Sequence, residues 1–409
     1  MNKGPLSGIR VVEMSTFVAA PVTARLLADL GADVIKIEAP NGDGWRDSGI
    51  GMGPKRFNHD ENPVFDIYNT GKKLISLDLK TPKGKDAFFK LLESTDVFVT
   101  NLRMSALERL GISYEDLKER YPRLIYAVVL GYGEKGPDAD KPAYDTTAFW
   151  SRCGFLRDMA VKNDCYEPVN APSSVGDTAT AYLLVAEICA SLFRRSTEGK
   201  GEFVSSTLFR NGVFCMGTMV IRSQAPFGTE YPLSLADYGA FGSHYECADG
   251  DWIFLSLGKI PGTQQKFFEM MGYPDLLKDP RFDTPEKRYE NREEYIECFR
   301  KGIRSKPSSY WLDFAKEYDM PLVRMAHFKD VSEDPQAWAN GFLEKVEYKN
   351  GNVDVIPTSP IEMESACPPP TKPSKFIGGD TEEVLRSIGY TDEEIKDMLD
   401  SGAAIVKKQ

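Results

Sequence analysis

Residues 8–38 read GIRVVEMSTFVAAPVTARLLADLGADVIKIE, and this stretch decides the class of fold. Residues 8–12 form an apolar run that predicts a buried strand, and residues 32–38 predict a second one. Between them, residues 21–30 carry apolar side chains at helical spacing and end at Gly31, which predicts a short helix. A strand, a helix and a strand this close together indicate a βαβ unit, whose two strands are parallel.

The same alternation continues beyond this unit. Apolar runs predict further strands at residues 74–79, 97–100, 124–130 and 203–208. Helices are predicted at residues 82–92, with Pro82 at the favoured first position, and at residues 179–194. Capping-box patterns predict two more helix starts, at Ser113 and Thr391. The first 130 residues are therefore predicted to form a doubly wound α/β region with a parallel sheet.

The composition of the chain changes near Pro232. From there to about residue 320, aromatic residues, glycines and charged helices replace the βαβ repeat. This change predicts a separate, smaller domain after the α/β region.

Charge and hydropathy limit the class of partner. The 409 residues include 50 Lys and Arg against 61 Asp and Glu, a formal net charge of −11. An acidic chain without a dense basic run argues against nucleic acid or an anionic membrane as partner. No segment approaches the roughly 18 uninterrupted apolar residues of a membrane helix, and residues 1–10 lack the apolar core of a signal peptide. We therefore expect a cytoplasmic protein that acts on small molecules.

Metal, disulfide and dinucleotide sites have little support. The seven cysteines are scattered without a CxxC pair, which indicates buried or incidental thiols. The three histidines, His59, His244 and His327, have no second His at metal-ligand spacing, so neither a zinc site nor a Ser-His-Asp triad is expected. The chain has no GxGxxG in its first turn and no GxxxxGK[ST], so we expect neither a nicotinamide cofactor nor a P-loop.

Ligand-binding residues are expected where the parallel strands end, because open α/β sheets bind ligands at that edge. In the first such turn, the small residues 19–21 either let a flat group approach the backbone or only pack the helix. The loop 131–137, rich in glycine, follows another buried strand. Basic residues near strand ends either meet phosphates or belong to a solvated surface; these are Lys72, Lys73, Lys80, Arg103 and Arg109.

Asp177 lies in the stretch VGDTA, where a polar loop enters an apolar helix. A carboxylate at this place is either an N-cap or a nucleophile held beside unpaired backbone N–H groups. Those N–H groups could also receive the oxyanion that forms when a carboxylate attacks a carbonyl. Gly176 would let a substrate approach without a side chain in the way. The sequence alone leaves both roles of Asp177 open.

Together these stretches resemble the family III CoA-transferases of the CaiB/BaiF type. The similar segments follow in order along most of the chain: GIRVVEMSTFVAAP, GADVIKIEAPNGDGWR, NTGKKLISLDLKTPKGK, TDVFVTNLRMSALERLGISYEDL, YPRLIYAVVLGYGEKGP, SVGDTATAYLLVAEICASL and GYTDEEIKDML. The stretch GYGEKGPDADKPAYDTTAF is closest to the branch that acts on 2-hydroxyacyl and arylacyl groups.

The resemblance implies a role for individual residues. Asp177 matches the family's catalytic aspartate. The residues that match the CoA site are Val18, Ala19, Lys80, Asn101, Leu102, Arg109, Lys141 and Tyr144, with Lys141 offset by one position. Those expected near the substrate are Asp145, Gly176, Gly239 and Gly242. The last two stand where the formyl-CoA branch has a run of glycines, a departure that weakens formate and oxalate as substrates.

The resemblance also implies an architecture and an activity. Residues 1–225 would form a large Rossmann-like α/β domain that binds CoA, residues 226–325 a small inserted α+β domain, and residues 326–409 a segment that returns to the large domain. Two copies would form an interlocked homodimer. The expected activity is CoA transfer from an acyl-CoA to a carboxylic acid through an aspartyl anhydride and an aspartyl-CoA thioester.

Two alternative activities remain open. One is a racemase of α-methylacyl-CoA, although Tyr144 replaces the histidine that the racemase branch uses to move the α-proton. The other is a protein that binds acyl-CoA without chemistry. Neither requires a metal or a nicotinamide.

Overall fold

In the computed structural model of the protein, the described residues are 4–48, 61–256, 263–366 and 368–407, and His59 and Cys367 lie outside them. Its strands, numbered in chain order, are β1 Arg10–Met14, β2 Asp33–Glu38, β3 Lys72–Ser76, β4 Val97–Thr100, β5 Ile125–Leu130, β6 Phe203–Thr207, β7 Gly242–Glu246, β8 Trp252–Ser256, β9 Leu322–Arg324, β10 Leu343–Glu347 and β11 Val353–Pro357.

The helices are numbered in the same way. The α-helices are α1 Ala19–Asp29, α2 Trp45–Ser48, α3 Pro63–Asn69, α4 Pro82–Leu92, α5 Met104–Leu110, α6 Tyr114–Leu117, α7 Phe155–Asp158, α8 Val175–Glu198, α9 Leu208–Cys215, α10 Gly217–Arg222, α11 Leu235–Tyr238, α12 Thr263–Met270, α13 Pro285–Glu290, α14 Arg292–Arg304, α15 Ser308–Glu317, α16 Phe328–Val331, α17 Pro335–Ala339, α18 Thr381–Ser387 and α19 Asp392–Asp400. A π-helix spans Asp145–Ser151 and a 3₁₀ helix spans Leu276–Lys278.

Two compact units make up the chain. The first combines Met1–Cys153, Ala171–Gly217 and Ser332–Gln409, and the second combines Gly154–Asn170 and Thr218–Val331.

The first unit is built on a six-stranded parallel sheet with the order β3-β2-β1-β4-β5-β6. Its four inner strands, β2, β1, β4 and β5, are almost wholly buried, which is why they appear in the sequence as mostly apolar runs. Val11 and its neighbours on one face pack against Leu27 of α1 and Leu184 of α8. Val12 and its neighbours on the other face pack against Phe88 of α4 and Leu385 of α18. The predicted α/β class with a parallel sheet is confirmed.

The strand order reverses beside β1. The chain passes from β1 outward to β2 and β3, then returns to place β4 on the opposite side of β1. In such sheets the ends of the two central strands diverge into a crevice, which is the usual ligand site of the fold. Here β1 ends at Met14 and β4 ends at Thr100, whose hydroxyl donates to the Met14 carbonyl at 2.7 Å.

Residues near the C-terminus complete the edge of this sheet at β3. The Leu74 N–H donates to the Asp380 carboxylate at 2.8 Å, and the Ser76 N–H donates to the Thr381 hydroxyl at 3.0 Å. β3 begins at Lys72 and ends at Ser76, so the strand predicted at residues 74–79 is wrong at both ends. The apolar side chains after Ser76 belong to the core beneath α4 and α19 rather than to a longer strand.

The second unit contains an antiparallel sheet with the order β7-β8-β9. One face of this sheet, with Tyr245 and Ile253, packs on a core of aromatic side chains from the helices. Phe267, Phe299 and Trp311 are wholly buried in that core.

One helix among the described residues, α8, is long and apolar enough to cross a membrane by length and composition. Core helices of globular proteins pass the same test, so this is weak evidence. Leu184 and Ile188 on this helix are wholly buried, whereas Tyr182 and Phe193 are exposed. That the protein has no membrane partner stays a prediction.

Candidate active site

A cleft of about 300 Å³ opens at the place where β1 and β4 diverge. Its walls come from the turn after β1, the residues after β4 and β5, and the first turn of α8. The predicted site residues that line it are Val18, Ala19, Asn101, Leu102, Lys141, Tyr144 and Asp177. Segments distant in the sequence therefore meet at the edge where a ligand site was expected.

The turn after β1 is held by side chains from other elements. The Asn101 amide accepts from the Thr16 N–H at 3.0 Å and donates to the Thr16 carbonyl at 2.6 Å. Phe17 has a φ of 65°, a left-handed conformation that is rare for a bulky residue. Its ring contacts the rings of Tyr144 and Trp45, with centroids 5.5 Å and 6.2 Å away. The turn thus presents an aromatic wall to the cleft.

Asp177 is the third residue of α8, and the N-cap position belongs to Ser174. The reading of Asp177 as an N-cap is therefore wrong: the helix starts four residues before the predicted residue 179. The Asp177 carboxyl forms no hydrogen bond with the described residues. Burial, and then the nearby carboxyl group of Asp145, raise its pKa to about 7.

The carboxyl group of Asp145 lies beside the start of α8. Ser174 has a φ of 73° and its side chain caps nothing. Instead the buried carboxyl group of Asp145, at the start of the π-helix, faces the backbone N–H groups of Ser174, Gly176 and Asp177 and the indole of Trp150. None of these contacts has full hydrogen-bond geometry. Burial raises the pKa of Asp145, and the contacts oppose that rise.

The glycine before Asp177 is required by packing. A Cβ at Gly176 would lie 2.2 Å from Asp145 Oδ1 and 2.4 Å from Phe149 Cγ. The missing side chain is what allows Asp145 to approach the start of α8. Gly176 therefore has a structural reason within the site that the sequence did not reveal.

Tyr68 of α3 lies near the carboxyl groups of Asp177 and Asp145. This residue was not identified from the sequence. Burial raises the pKa of its phenol, the Ser174 hydroxyl opposes that rise, and the negative charge of Asp177 adds to it. Its ring lies 6.3 Å from that of Trp45. No local pattern places α3 beside α8, so only the tertiary structure reveals this contact.

A second cleft of about 310 Å³ adjoins the first and shares Thr16 and Leu102 with it. It lies between the ends of β2 and β3, and exposed Lys80 stands on its wall. Arg109 is exposed in the last turn of α5 and lines neither cleft. Exposed Lys141, in the first cleft, lies 3.8 Å from the Asp138 carboxylate.

Lys72 corrects one expectation. The sequence predicts a surface cation or a phosphate ligand at this position. Instead the side chain of Lys72 is wholly buried, and its Nζ lies 2.7 Å from Glu13 Oε2. Its neighbour Lys73 is exposed beside Asp33. The lysine that is buried is thus unavailable to a bound phosphate.

Gly239 and Gly242 belong to the second unit. Gly239 ends α11 with a φ of 84° and lines a cleft of about 310 Å³ within that unit. Gly242 is the first residue of β7.

Comparison with known proteins gives a consistent result. The model of "CoA-transferase family III" matches residues 6–381. (R)-2-hydroxy-4-methylpentanoate CoA-transferase of Clostridioides difficile is 37% identical, over 97% of this chain and 98% of that protein. Cinnamoyl-CoA:phenyllactate CoA-transferase of Clostridium sporogenes is 33% identical, over 100% and 99%. A CAIB/BAIF family protein from Brucella suis, with a solved structure, has a TM-score of 0.79 at 26% identity, over 95% of this chain and 100% of that one.

Proposed function

This chain belongs to CoA-transferase family III, and from that premise we propose that Asp177 carries CoA from an acyl-CoA donor to a carboxylic acid acceptor. The observation that carries the proposal is a carboxyl group in the cleft that no described residue binds and whose pKa is raised to about 7. The names of the two relatives support a 2-hydroxy or arylacyl acid as the substrate class.

The reaction proceeds in four displacements at three carbonyl carbons, those of the donor, of Asp177 and of the acceptor. The Asp177 carboxylate attacks the carbonyl carbon of the donor thioester. The C–S bond breaks and CoA leaves as thiolate, which gives a mixed anhydride of Asp177 and the donor acid. The thiolate attacks the aspartyl carbonyl of this anhydride and releases the donor acid, which leaves an aspartyl-CoA thioester. The acceptor carboxylate displaces the thiolate from that thioester and forms a second anhydride. The thiolate then attacks the acceptor carbonyl, which yields the new acyl-CoA and restores Asp177.

The start of α8 assists each of these steps. Its positive dipole end favours the oxyanions that form at the aspartyl and acyl carbonyls. Asp145 occupies part of that N-terminus, so Asp177 itself is not needed as the cap and remains free to react. The aromatic wall of Phe17 and Tyr144 shields the anhydride from water, which would otherwise hydrolyse it.

CoA lies along the two adjoining clefts in this proposal. Lys80, Arg109 and Lys141 are all exposed and supply positive charge to its phosphates. Val18, Ala19 and Leu102 supply apolar contacts, and Tyr144 closes the end near Asp177. Asn101 acts indirectly, by holding the backbone of Thr16, because the oxygen and the nitrogen of its side-chain amide both already bond to that backbone. Gly239 and Gly242 remain proposed substrate-proximal residues.

The larger organisation is also proposed. We keep the domain boundaries after residues 225 and 325, the cytoplasmic location and the interlocked homodimer. Exposed Phe193 of α8 and Phe214 of α9 support a dimer, since 76% and 88% of these residues are accessible in the single chain.

The proposal is tested by trapping the covalent intermediate. The enzyme is mixed with an acyl-CoA, quenched with hydroxylamine, digested and analysed by mass spectrometry. A hydroxamate at Asp177 is expected, because both the anhydride and the thioester are reactive acyl groups at that carboxyl carbon. Asp177→Asn serves as the control that cannot be labelled. Transfer of CoA by the wild-type enzyme with no modification at Asp177 would refute the mechanism.

A further inference from the structure

Four buried ionic side chains lie directly behind the cleft. Lys36 Nζ lies 2.7 Å from Glu13 Oε1 and 2.9 Å from Asp43 Oδ2, and Lys72 Nζ lies 2.7 Å from Glu13 Oε2. All four side chains are wholly inaccessible or nearly so. We call these residues, Glu13, Lys36, Asp43 and Lys72, the ion network. It joins β1, β2 and β3 to the loop before α2.

The ion network bonds to the backbone on both sides of the turn after β1. Lys36 Nζ donates to the Ser15 carbonyl at 3.1 Å, and Lys72 Nζ donates to the Pro21 carbonyl at 2.8 Å. Asp43 Oδ1 accepts from the Phe17 N–H at 3.0 Å. The residues from 15 to 21 are thereby held at three points by charged groups.

Asp43 has the central position. The same Oδ1 that accepts from Phe17 also accepts from the Trp45 N–H at 2.9 Å, while Oδ2 faces Lys36. One carboxylate therefore fixes the backbones of the two residues whose rings meet at 6.2 Å. Hydrogen bonds to an ionised group are roughly twice as strong as neutral ones.

Phe17 needs such support. Its φ of 65° is unfavourable for a residue with a bulky side chain, and such a conformation persists only where the surroundings impose it. That conformation directs the ring onto Tyr144 and into the wall of the cleft that contains Asp177. A change in the turn would therefore move the wall beside the reacting groups.

We propose that the ion network is a positioning device for the reaction: through Asp43 it holds the left-handed turn at Phe17 and so places the aromatic wall against the acyl-CoA. Asp43 borders the second cleft but is only 2% accessible, and in this view it acts through Phe17 rather than by contact with the substrate. The inference rests on the proposed function of the cleft.

The test compares Asp43→Asn with wild-type enzyme. Asparagine keeps the shape and one acceptor oxygen of the side chain but removes its charge. The Phe17 and Trp45 N–H groups therefore donate to a neutral acceptor instead of a charged one. Hydrogen exchange of the peptide that covers residues 15–20 should become about tenfold faster. The kcat/KM for acyl-CoA should fall about tenfold, mainly through KM. Lys73→Met, a change on the same strand outside the network, should alter neither.

A double-mutant cycle with Phe17→Ala separates positioning from general structural damage. If Asp43 acts through the Phe17 ring, Asp43→Asn should change kcat/KM less than about twofold when Phe17 is already alanine. Equal losses in both backgrounds would overturn the proposal, as would unchanged exchange of residues 15–20. Should Asp43→Asn fail to fold, Lys72→Met cuts the network at its other end and should give the same faster exchange. The exchange measurement does not depend on activity, so it stands even if the wild-type enzyme transfers no CoA.

Discussion

The carboxyl group of Asp177 is half-buried, close to a second carboxyl group and without a hydrogen-bond partner among the described residues. Each of these features disfavours its charge, yet a nucleophile must be ionised. A raised pKa also makes the carboxylate more basic and so a stronger nucleophile. With a pKa of about 7, the group is ionised above neutrality and remains more reactive than an ordinary carboxylate.

The pH profile should show this titration. We expect kcat/KM to be flat above about pH 7 and to fall tenfold per unit below it, as Asp177 becomes protonated. Asp145→Asn should move this limb to lower pH, because it removes the like charge while the asparagine oxygen can still face the start of α8. Initial rates from pH 5 to 9 measure both profiles. An unchanged limb in Asp145→Asn would show that Asp145 does not set the pKa of Asp177.

Asp177→Asn should abolish transfer and stabilise the fold. The folded pKa of about 7 lies above the unfolded value of about 3.9, so the folded state binds more protons between these values and stability falls as pH rises through them. Asparagine at this position cannot ionise, so the Asp177→Asn variant avoids the cost of a charge in the folded state. Its free energy of unfolding should be about 1 to 4 kcal/mol higher than that of the wild type at pH 8, with a smaller difference at lower pH. Urea unfolding at pH 8 and pH 5.5 measures it. A destabilised variant at pH 8 would contradict the view that the charge is unfavourable there.

The sequence identified Asp177 as a candidate but could not assign its local role. Excluding Asp177 as the N-cap required the start of α8 at Val175, and its neighbour Asp145 comes from the π-helix, 32 residues earlier in the chain. The ion network was missed for a similar reason. Its signal was present, since Glu13 and Lys36 interrupt apolar strands, but the partners of those charges are set by strand register and not by local pattern.

At the scale of elements, the first turn of α8 depends on Gly176. We expect Gly176→Ala to displace Asp145 or Phe149 and to cost about 1–3 kcal/mol of stability, with a large loss of transfer activity. Gly217→Ala is the matched control, because a Cβ there would meet nothing within 4 Å. Thermal melting compares the two variants. Equal melting temperatures would mean that the start of α8 yields more easily than its packing indicates.

The two adjacent lysines of β3 allow a second comparison at this scale. Lys72→Met leaves Glu13 buried with one cation instead of two, and removing one partner of a buried ion pair costs about 3–5 kcal/mol. Lys73 and Asp33 form an exposed pair, and such pairs contribute about 0–1 kcal/mol. Lys72→Met should therefore unfold at clearly lower urea concentration than Lys73→Met. Similar midpoints would show that Lys36 alone satisfies Glu13.

The elements were predicted best where local chemistry determines them. The strand at Val97–Thr100 and the helix at Pro82–Leu92 have the predicted bounds. An apolar, fully buried run defines the strand, and a proline in the first turn defines the start of the helix. The capping boxes at Ser113 and Thr391 are formed as predicted. The start of α8 was placed too late, because the helix begins after Ser174 without a side-chain cap and so has no local capping signal.

At the scale of the whole molecule, long-range contacts decide what local patterns cannot. Residues 154–170 precede α8 in the chain but belong to the second unit. The Lys162 N–H donates to the Leu233 carbonyl at 2.9 Å, and Val161 packs on the aromatic core of that unit. Neither contact has a signal in the sequence near residue 160. The composition change near Pro232 therefore indicated a second domain but not this segment of it.

The proposed dimer makes a prediction about the molecule as a whole. α8 and α9 pack together, and each exposes a phenylalanine, Phe193 and Phe214, that a second copy would cover. If two chains are interlocked, dissociation and unfolding occur together, so the melting temperature should fall on dilution. Phe214→Asp should lower it further and reduce the dimer fraction in analytical ultracentrifugation. Tyr289→Asp, at a residue that is 68% accessible in the second unit, serves as the control. A folded, active monomer at nanomolar concentration would refute the interlocked dimer while leaving the chemistry of Asp177 untouched.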